Sequence, residues 1–150
     1  MMSAYSHILL ALDMSPDSLA VGKRAAALAR RCGARLTLLH VTEYLLTDPA
    51  AESLLPDVGL PPAELLEAEQ SRLRDMAQAI GFAEANCLIR LGSVKQQLIE
   101  TARELAADLI VIGRHERHGL AVLFGHTEDA VLHGAPCDVL AVLPTTHRPV

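Results

Sequence analysis

The residues best suited to chemistry stand in one run. Gly113-Arg114-His115-Glu116-Arg117-His118-Gly119 is followed by five apolar residues and then by Gly125-His126-Thr127. Glycines let a backbone approach a phosphate closely. The amides of Gly125, His126 and Thr127, at the start of a helix, would form an anion cradle. Arg114 and Arg117 would add charge-assisted hydrogen bonds. The spacing is neither that of a P-loop nor GxGxxG, so the run points toward an anion or nucleotide without specifying one. His115, His118 and His126 lie in or beside it, but a metal site needs three or four converging ligands, and a loop rich in Arg and His is more simply solvated. No metal is assigned. A further acid, Asp13, ends the first apolar run, and no base accompanies it in the sequence. Ser15 and Ser93 read as helix caps and Cys137 as structural, so no catalytic residue is assigned.

These residues need elements to position them. His7–Asp13 (HILLALD), Arg35–Val41 (RLTLLHV), Ala85–Leu91 (ANCLIRL), Asp108–Gly113 (DLIVIG) and Asp138–Leu143 (DVLAVL) are short apolar runs. Such runs mark strands buried on both faces of a parallel sheet. Between them lie four helical patterns. Ser15 as cap and Pro16 at the first helical position open the first, which stops at Gly33. Pro61-Pro62 opens the second, which stops at Gly81. Ser93 and Gln96 match a capping box for a third through Ala107. A fourth runs from near Thr127 to His133. The order βαβαβαβαβ, with right-handed crossovers, gives a doubly wound α/β domain with helices on both faces. With strand order 3-2-1-4-5, the ligand crevice lies beyond the carboxyl ends of strands one and four. It would gather Asp13, Val41 and the loop that begins at Gly113.

Composition narrows the classes. The chain has 150 residues, suited to one domain spanning 1–150 with a loose tail from about 145. Hydrophobic residues make up 51% of it but aromatics only 3%, so its core is Leu, Val, Ile and Ala. Base-stacking nucleic-acid modules need more rings than this. The net charge of −5 also disfavours binding nucleic acid through a general positive field. Nine acids and two basic residues fall between Glu43 and Glu84, which reads as a solvated helix face and its approach. The three cysteines are widely spaced and read as thiols of a reducing compartment. With neither a signal peptide nor a membrane-length apolar run, the expected location is cytoplasmic.

The sequence resembles the universal stress protein family, in particular its small single-domain A-like type, over nearly its whole length. The marks are HILLALDMSPDS (7–18), LLHV (38–41), LGSVKQQLIETARELAADLIVIG (91–113) and AVLHGAPCDVLAV (130–142). The resemblance implies a Rossmann-like fold of the adenine nucleotide alpha hydrolase kind. It implies a stress-response regulator or adaptor that pairs as a homodimer through the last strand, Val139 to Leu143, while composition and charge lead to the expectation of no membrane or nucleic-acid partner. Many members bind ATP through an acid ending strand one, the backbone ending strand two, and a motif G-x2-G-x9-G-[S/T]. Carried over by position, the cofactor-binding residues are Asp13, Val41, Gly113, Arg114, Gly125, His126 and Thr127. The chain departs from the motif at three points. Glu116 replaces the second glycine, His126 replaces the Ser/Thr, and eleven residues separate Gly113 from Gly125, one fewer than in the pattern. A carboxylate beside a triphosphate is the departure that costs most, through Coulomb repulsion. The resemblance leaves open an alternative, slow ATPase or phosphotransferase activity, which ranks below a role without turnover.

Overall fold

The structure is a computed structural model that describes residues 3–43, 61–114 and 130–144. Five strands are formed: β1 (His7–Ala11), β2 (Arg35–Thr42), β3 (Asn86–Leu91), β4 (Leu109–Gly113) and β5 (Asp138–Val142). All neighbours pair in parallel, in the order β3-β2-β1-β4-β5. The order expected from the sequence is therefore the one found. Three helices are α1 (Ser18–Cys32), α2 (Ala63–Ala79) and α3 (Val94–Glu104), and residues 130–134 are also helical.

The sheet is covered on both faces, which is why β4 and β1 beyond His7 carry no polar side chain. Ile8, Leu10, Leu36, Leu38 and Val111 face one core with Val21, Ala25 and Leu73 from α1 and α2. Leu9, Leu39, Ile110 and Ile112 face the other with Leu98 and Ala102 from α3 and with Val131. Small residues set how closely these layers approach. A Cβ on Gly22 would stand 2.8 Å from a methyl of Ile80, and one on Gly134 would stand 2.7 Å from Ile99. Neither space would accept a side chain without displacing its neighbour.

All three helices end in the same way. The residue in left-handed conformation is Gly33 after α1 (φ 62°), Gly81 after α2 (φ 78°) and Ala106 after α3 (φ 51°). In each, the next amide reaches back to close the last turn: Ala34 to Ala29, Phe82 to Ala77 and Ala107 to Ala102, at 2.8, 2.9 and 2.9 Å. This is the Schellman arrangement. The first two ends were readable from their glycines. The third was expected at Ala107 and falls at Glu104, because an alanine occupies a position that ordinarily signals itself as glycine.

The expected cap of α1 is also corrected. The helix begins at Ser18 with Asp17 in the capping position and no side-chain cap bond. Ser15 and Pro16 belong to a preceding turn, closed by the Ser18 amide on the Ser15 carbonyl at 3.0 Å. Ser93 does cap α3, accepting the Gln96 amide at 3.4 Å. The reciprocal half of the capping box is missing because the Gln96 side chain turns to Glu100.

At the amino end of the sheet, His7 is buried between strands, with 5% of its surface exposed. Its Nδ1 lies 3.2 Å from the Leu105 carbonyl and its Nε2 2.8 Å from Thr37 Oγ1. A carbonyl only accepts, so Nδ1 carries the proton and Nε2 accepts from the threonine. Burial, with the nearby Arg35 cation, holds His7 below its ordinary value and hence neutral at pH 7. Asp108 fastens the same corner, accepting the amides of Ser6 and His7 and the Ser6 hydroxyl at 2.8–3.0 Å.

An alanine at positive φ costs about 1–2 kcal/mol, and glycine there gives back roughly half of that in unfolded-state entropy. Ala106→Gly is therefore expected to stabilise the fold by about 0.5–1 kcal/mol. A urea midpoint that falls at unchanged slope would contradict this reading of the α3 terminus.

Candidate functional site

The sheet winds outward in opposite directions from β1 and β4. The position beyond their carboxyl ends is therefore the one at which this topology places a ligand crevice. The registers pair Leu10 with both Leu38 and Val111, and Ala11 with Leu39. Asp13 follows two residues after the end of β1, Val41 lies near the end of β2, and Arg114 directly follows β4. Four of the seven expected site residues thus emerge on three adjacent strand ends. Gly125, His126 and Thr127 lie outside the described residues, as do Glu116, Arg117 and the loop histidines.

Asp13 is exposed at the crevice and organises its own turn. Its Oδ1 accepts the Ser15 amide at 2.9 Å and the Ser18 hydroxyl at 3.1 Å. The carboxylate thereby links the end of β1 to the first turn of α1, and Ser18 is buried to 2%. Between them Met14 adopts φ 61°, unusual for a residue with a side chain. Strain of this kind costs about 1–3 kcal/mol and persists only where surrounding bonds enforce it. Within this turn the Ser15 hydroxyl is buried without a hydrogen-bond partner among the described residues. A buried polar atom left unmet in a cleft is the kind of group that a bound ligand or water satisfies.

The other two strand ends contribute differently. Val41 is 9% exposed, and its side chain belongs to the α3-side core, so only its backbone can serve a ligand. Thr42, the next residue, donates to Glu69 of α2 at 2.5 Å, which ties α2 to this end of β2. Gly113 is half-buried and ends β4. The Arg114 amide continues the ladder onto the Val142 carbonyl at 2.7 Å. His40, within β2, is half-buried, with Nδ1 2.8 Å from the Leu12 carbonyl. Nothing in the sequence marks that bond, which depends on how β1 leaves the sheet.

A second concavity lies at the opposite end. A groove of about 480 Å³ runs past the amino ends of β2 and β3, lined among others by His7, Arg35, Thr37, Phe82, Glu84 and Asn86. The Arg30 guanidinium beside it is engaged, with Glu84 at 2.7 Å, the Gly81 carbonyl at 2.8 Å and the Phe82 ring at 4.0 Å. The carbonyl end of α1 also points here, which disfavours an anion. The carboxyl-end crevice has the opposite polarity, because the amino-terminal turn of α1 opens into it. Among the described residues no group of three metal-ligating side chains converges, and no helix is long and apolar enough to cross a membrane.

Comparison with known proteins accords with this geometry. The model of the Universal stress protein family matches residues 4–142. Universal stress protein A homolog 2 of Coxiella burnetii is 36% identical over 142 residues, covering 94% of this chain and 97% of the relative. Homolog 1 of the same organism is 37% identical over 139 residues, covering 92% and 96%. Among solved structures, a universal stress protein in complex with cAMP superimposes with a TM-score of 0.68 at 25% identity, over 93% of this chain and 98% of that one.

Asp13 makes a clear test of the turn. Asp13→Ala removes both bonds and is expected to cost about 1–2 kcal/mol in urea unfolding. Asp13→Asn retains an acceptor and should cost less than half as much. Equal losses in the two variants would show that charge, not hydrogen bonding, holds the turn.

Proposed function

Because the chain belongs to the universal stress protein family, we propose that it binds an adenine nucleotide in the crevice between β1 and β4 and acts without turnover of its own. The observation that supports this reading is the topology: β1, β2 and β4 are adjacent and parallel, so the chain leaves them at the same end of the sheet, where Asp13 is bonded to Ser18 of α1. Each group has a role suited to its chemistry. The Asp13 carboxylate accepts hydrogen bonds from ribose hydroxyls. The Val41 backbone meets the edge of the base. Gly113 lets the chain pass close to the phosphates, and the Arg114 guanidinium offsets their charge. Gly125, His126 and Thr127 complete the phosphate side, with Thr127 supplying the hydroxyl that position 126 lacks. With no tryptophan and few rings in the chain, the base rests on aliphatic side chains. The relative solved with cAMP supports the ligand class. ATP is the member of that class that the motif favours, with Glu116 weakening its hold on the terminal phosphates.

The regulatory role is carried by an assembly of two copies. β5 is an edge strand with one side paired to β4, and its residues Leu140 and Ala141 are exposed, Leu140 at 40%. An apolar strand edge of this kind is a pairing template, and a second copy of the same strand satisfies it. The protein then acts as a cytoplasmic adaptor whose nucleotide state is read by a partner.

Calorimetric titration with ATP, ADP and AMP, with and without Mg²⁺, tests the ligand. Dissociation constants on the order of micromolar are expected, which is roughly −8 kcal/mol. Absence of binding by all three would contradict the proposal, and steady phosphate release abolished by Asp13→Ala would replace it with an enzyme. Light scattering should give twice the chain mass, falling to one chain in Leu140→Lys. A wild-type monomer at high concentration would remove the edge-strand argument.

A further inference from the structure

The backbone at the end of β2 shows a missing rung. In a parallel ladder, alternate residues of a strand turn their backbone groups toward each neighbour. The Gly92 amide donates to the Thr42 carbonyl at 3.1 Å, and Thr42 is paired with Leu91, so the even-numbered residues here face β3. Leu39 and Val41 therefore face β1. The Leu12 amide accordingly donates to the Leu39 carbonyl at 2.9 Å. The next rung would run from the Val41 amide to the Leu12 carbonyl. Among the described residues that rung is not made. The Leu12 carbonyl is instead held by Nδ1 of His40 at 2.8 Å.

The acceptor is a carbonyl, so Nδ1 of His40 carries the proton. His40 lies two residues beyond Leu38 on β2 and extends toward the α1 and α2 face. β1 itself ends at Ala11, so the chain is leaving the ladder at this carbonyl. Two polar groups at this corner are then left without partners among the described residues, the Val41 amide and the Ser15 hydroxyl. Protein interiors rarely leave such groups unmet. Met14, at φ 61°, shows that the chain also carries strain at the same place.

We infer that His40 is a positioning residue: its imidazole captures the Leu12 carbonyl and so leaves the Val41 N–H open as a donor to an acceptor nitrogen of a purine base. The inference rests on the nucleotide reading above and specifies how that site is kept ready. His40 itself touches no ligand. It acts through two neighbours, freeing the Val41 donor and fixing the departure of the chain toward Asp13. The ligand class is that of the nucleotide reading, in which the Val41 backbone meets the edge of the base.

Two variants and two readouts test this. In His40→Asn the amide nitrogen stands close to the position of Nδ1 and can still hold the Leu12 carbonyl. In His40→Leu nothing can, and the rung to Val41 is free to close. Calorimetry with AMP should give His40→Asn an affinity within about threefold of wild type and His40→Leu a loss of about tenfold, the worth of one hydrogen bond. Amide hydrogen exchange should find Val41 in the wild type exchanging at least about tenfold faster than Leu39, and slowing toward Leu39 in His40→Leu. AMP binding unchanged in His40→Leu, or a wild-type Val41 amide as protected as that of Leu39, would overturn the inference. A wild type that binds no AMP would defeat the nucleotide reading instead, while the exchange of Val41 still decides whether His40 holds the rung open.

Discussion

A parallel strand buried on both faces can leave its sheet only where other groups take over its backbone hydrogen bonds. At the end of β1 that exchange happens within three residues. Leu12 makes its last ladder bond through its amide to Leu39 and gives its carbonyl to the His40 ring. Asp13 then collects the Ser15 amide and the Ser18 hydroxyl, and α1 begins. Were β1 to continue its pairing, the chain would close over the crevice between β1 and β4. The candidate site exists because the strand stops here and because polar side chains, not further ladder, hold it open.

The opposite end of the same strand is secured differently. His7 and Thr37 share a buried hydrogen bond, and Asp108 accepts two amides and a hydroxyl from the start of β1. Burial pushes the Asp108 carboxyl up, and the Ser6 and His7 amides more than offset this, so it lies below its usual range. These bonds are fully used within the protein. The groove beside them offers volume, whereas at the carboxyl end the Ser15 hydroxyl is buried without a partner among the described residues. For a nucleotide the second matters more, because specificity comes from a few placed polar groups.

Much of this architecture was legible in the sequence, for physical reasons. Short continuous apolar runs alternating with helical patterns pointed to five parallel strands covered on both faces, and the doubly wound order 3-2-1-4-5 supposed for them is the one found. Gly33 and Gly81 announced two helix ends because only glycine adopts positive φ freely. The same reasoning failed at Ala106, where backbone bonds enforce the conformation on an alanine. It failed again at Ser15, whose type suits a helix cap but whose amide is claimed by Asp13. At the site, topology and residue types put forward Asp13 and the strand ends as candidates. They were silent on His40, since a side chain reaching a neighbouring strand's carbonyl leaves no spacing pattern. Gly125, His126 and Thr127 stand outside the described residues, so their part rests on sequence resemblance.

The central claim is that ligand binds at the carboxyl ends of β1, β2 and β4. It is tested most directly by following backbone amide resonances of the whole protein during titration with AMP. Shifts concentrated at residues 13–18, 40–42 and 113–114, with residues 33–37 and 84–86 unmoved, are the predicted result. Shifts confined to the amino-end groove around His7, Arg35 and Asn86 would contradict it.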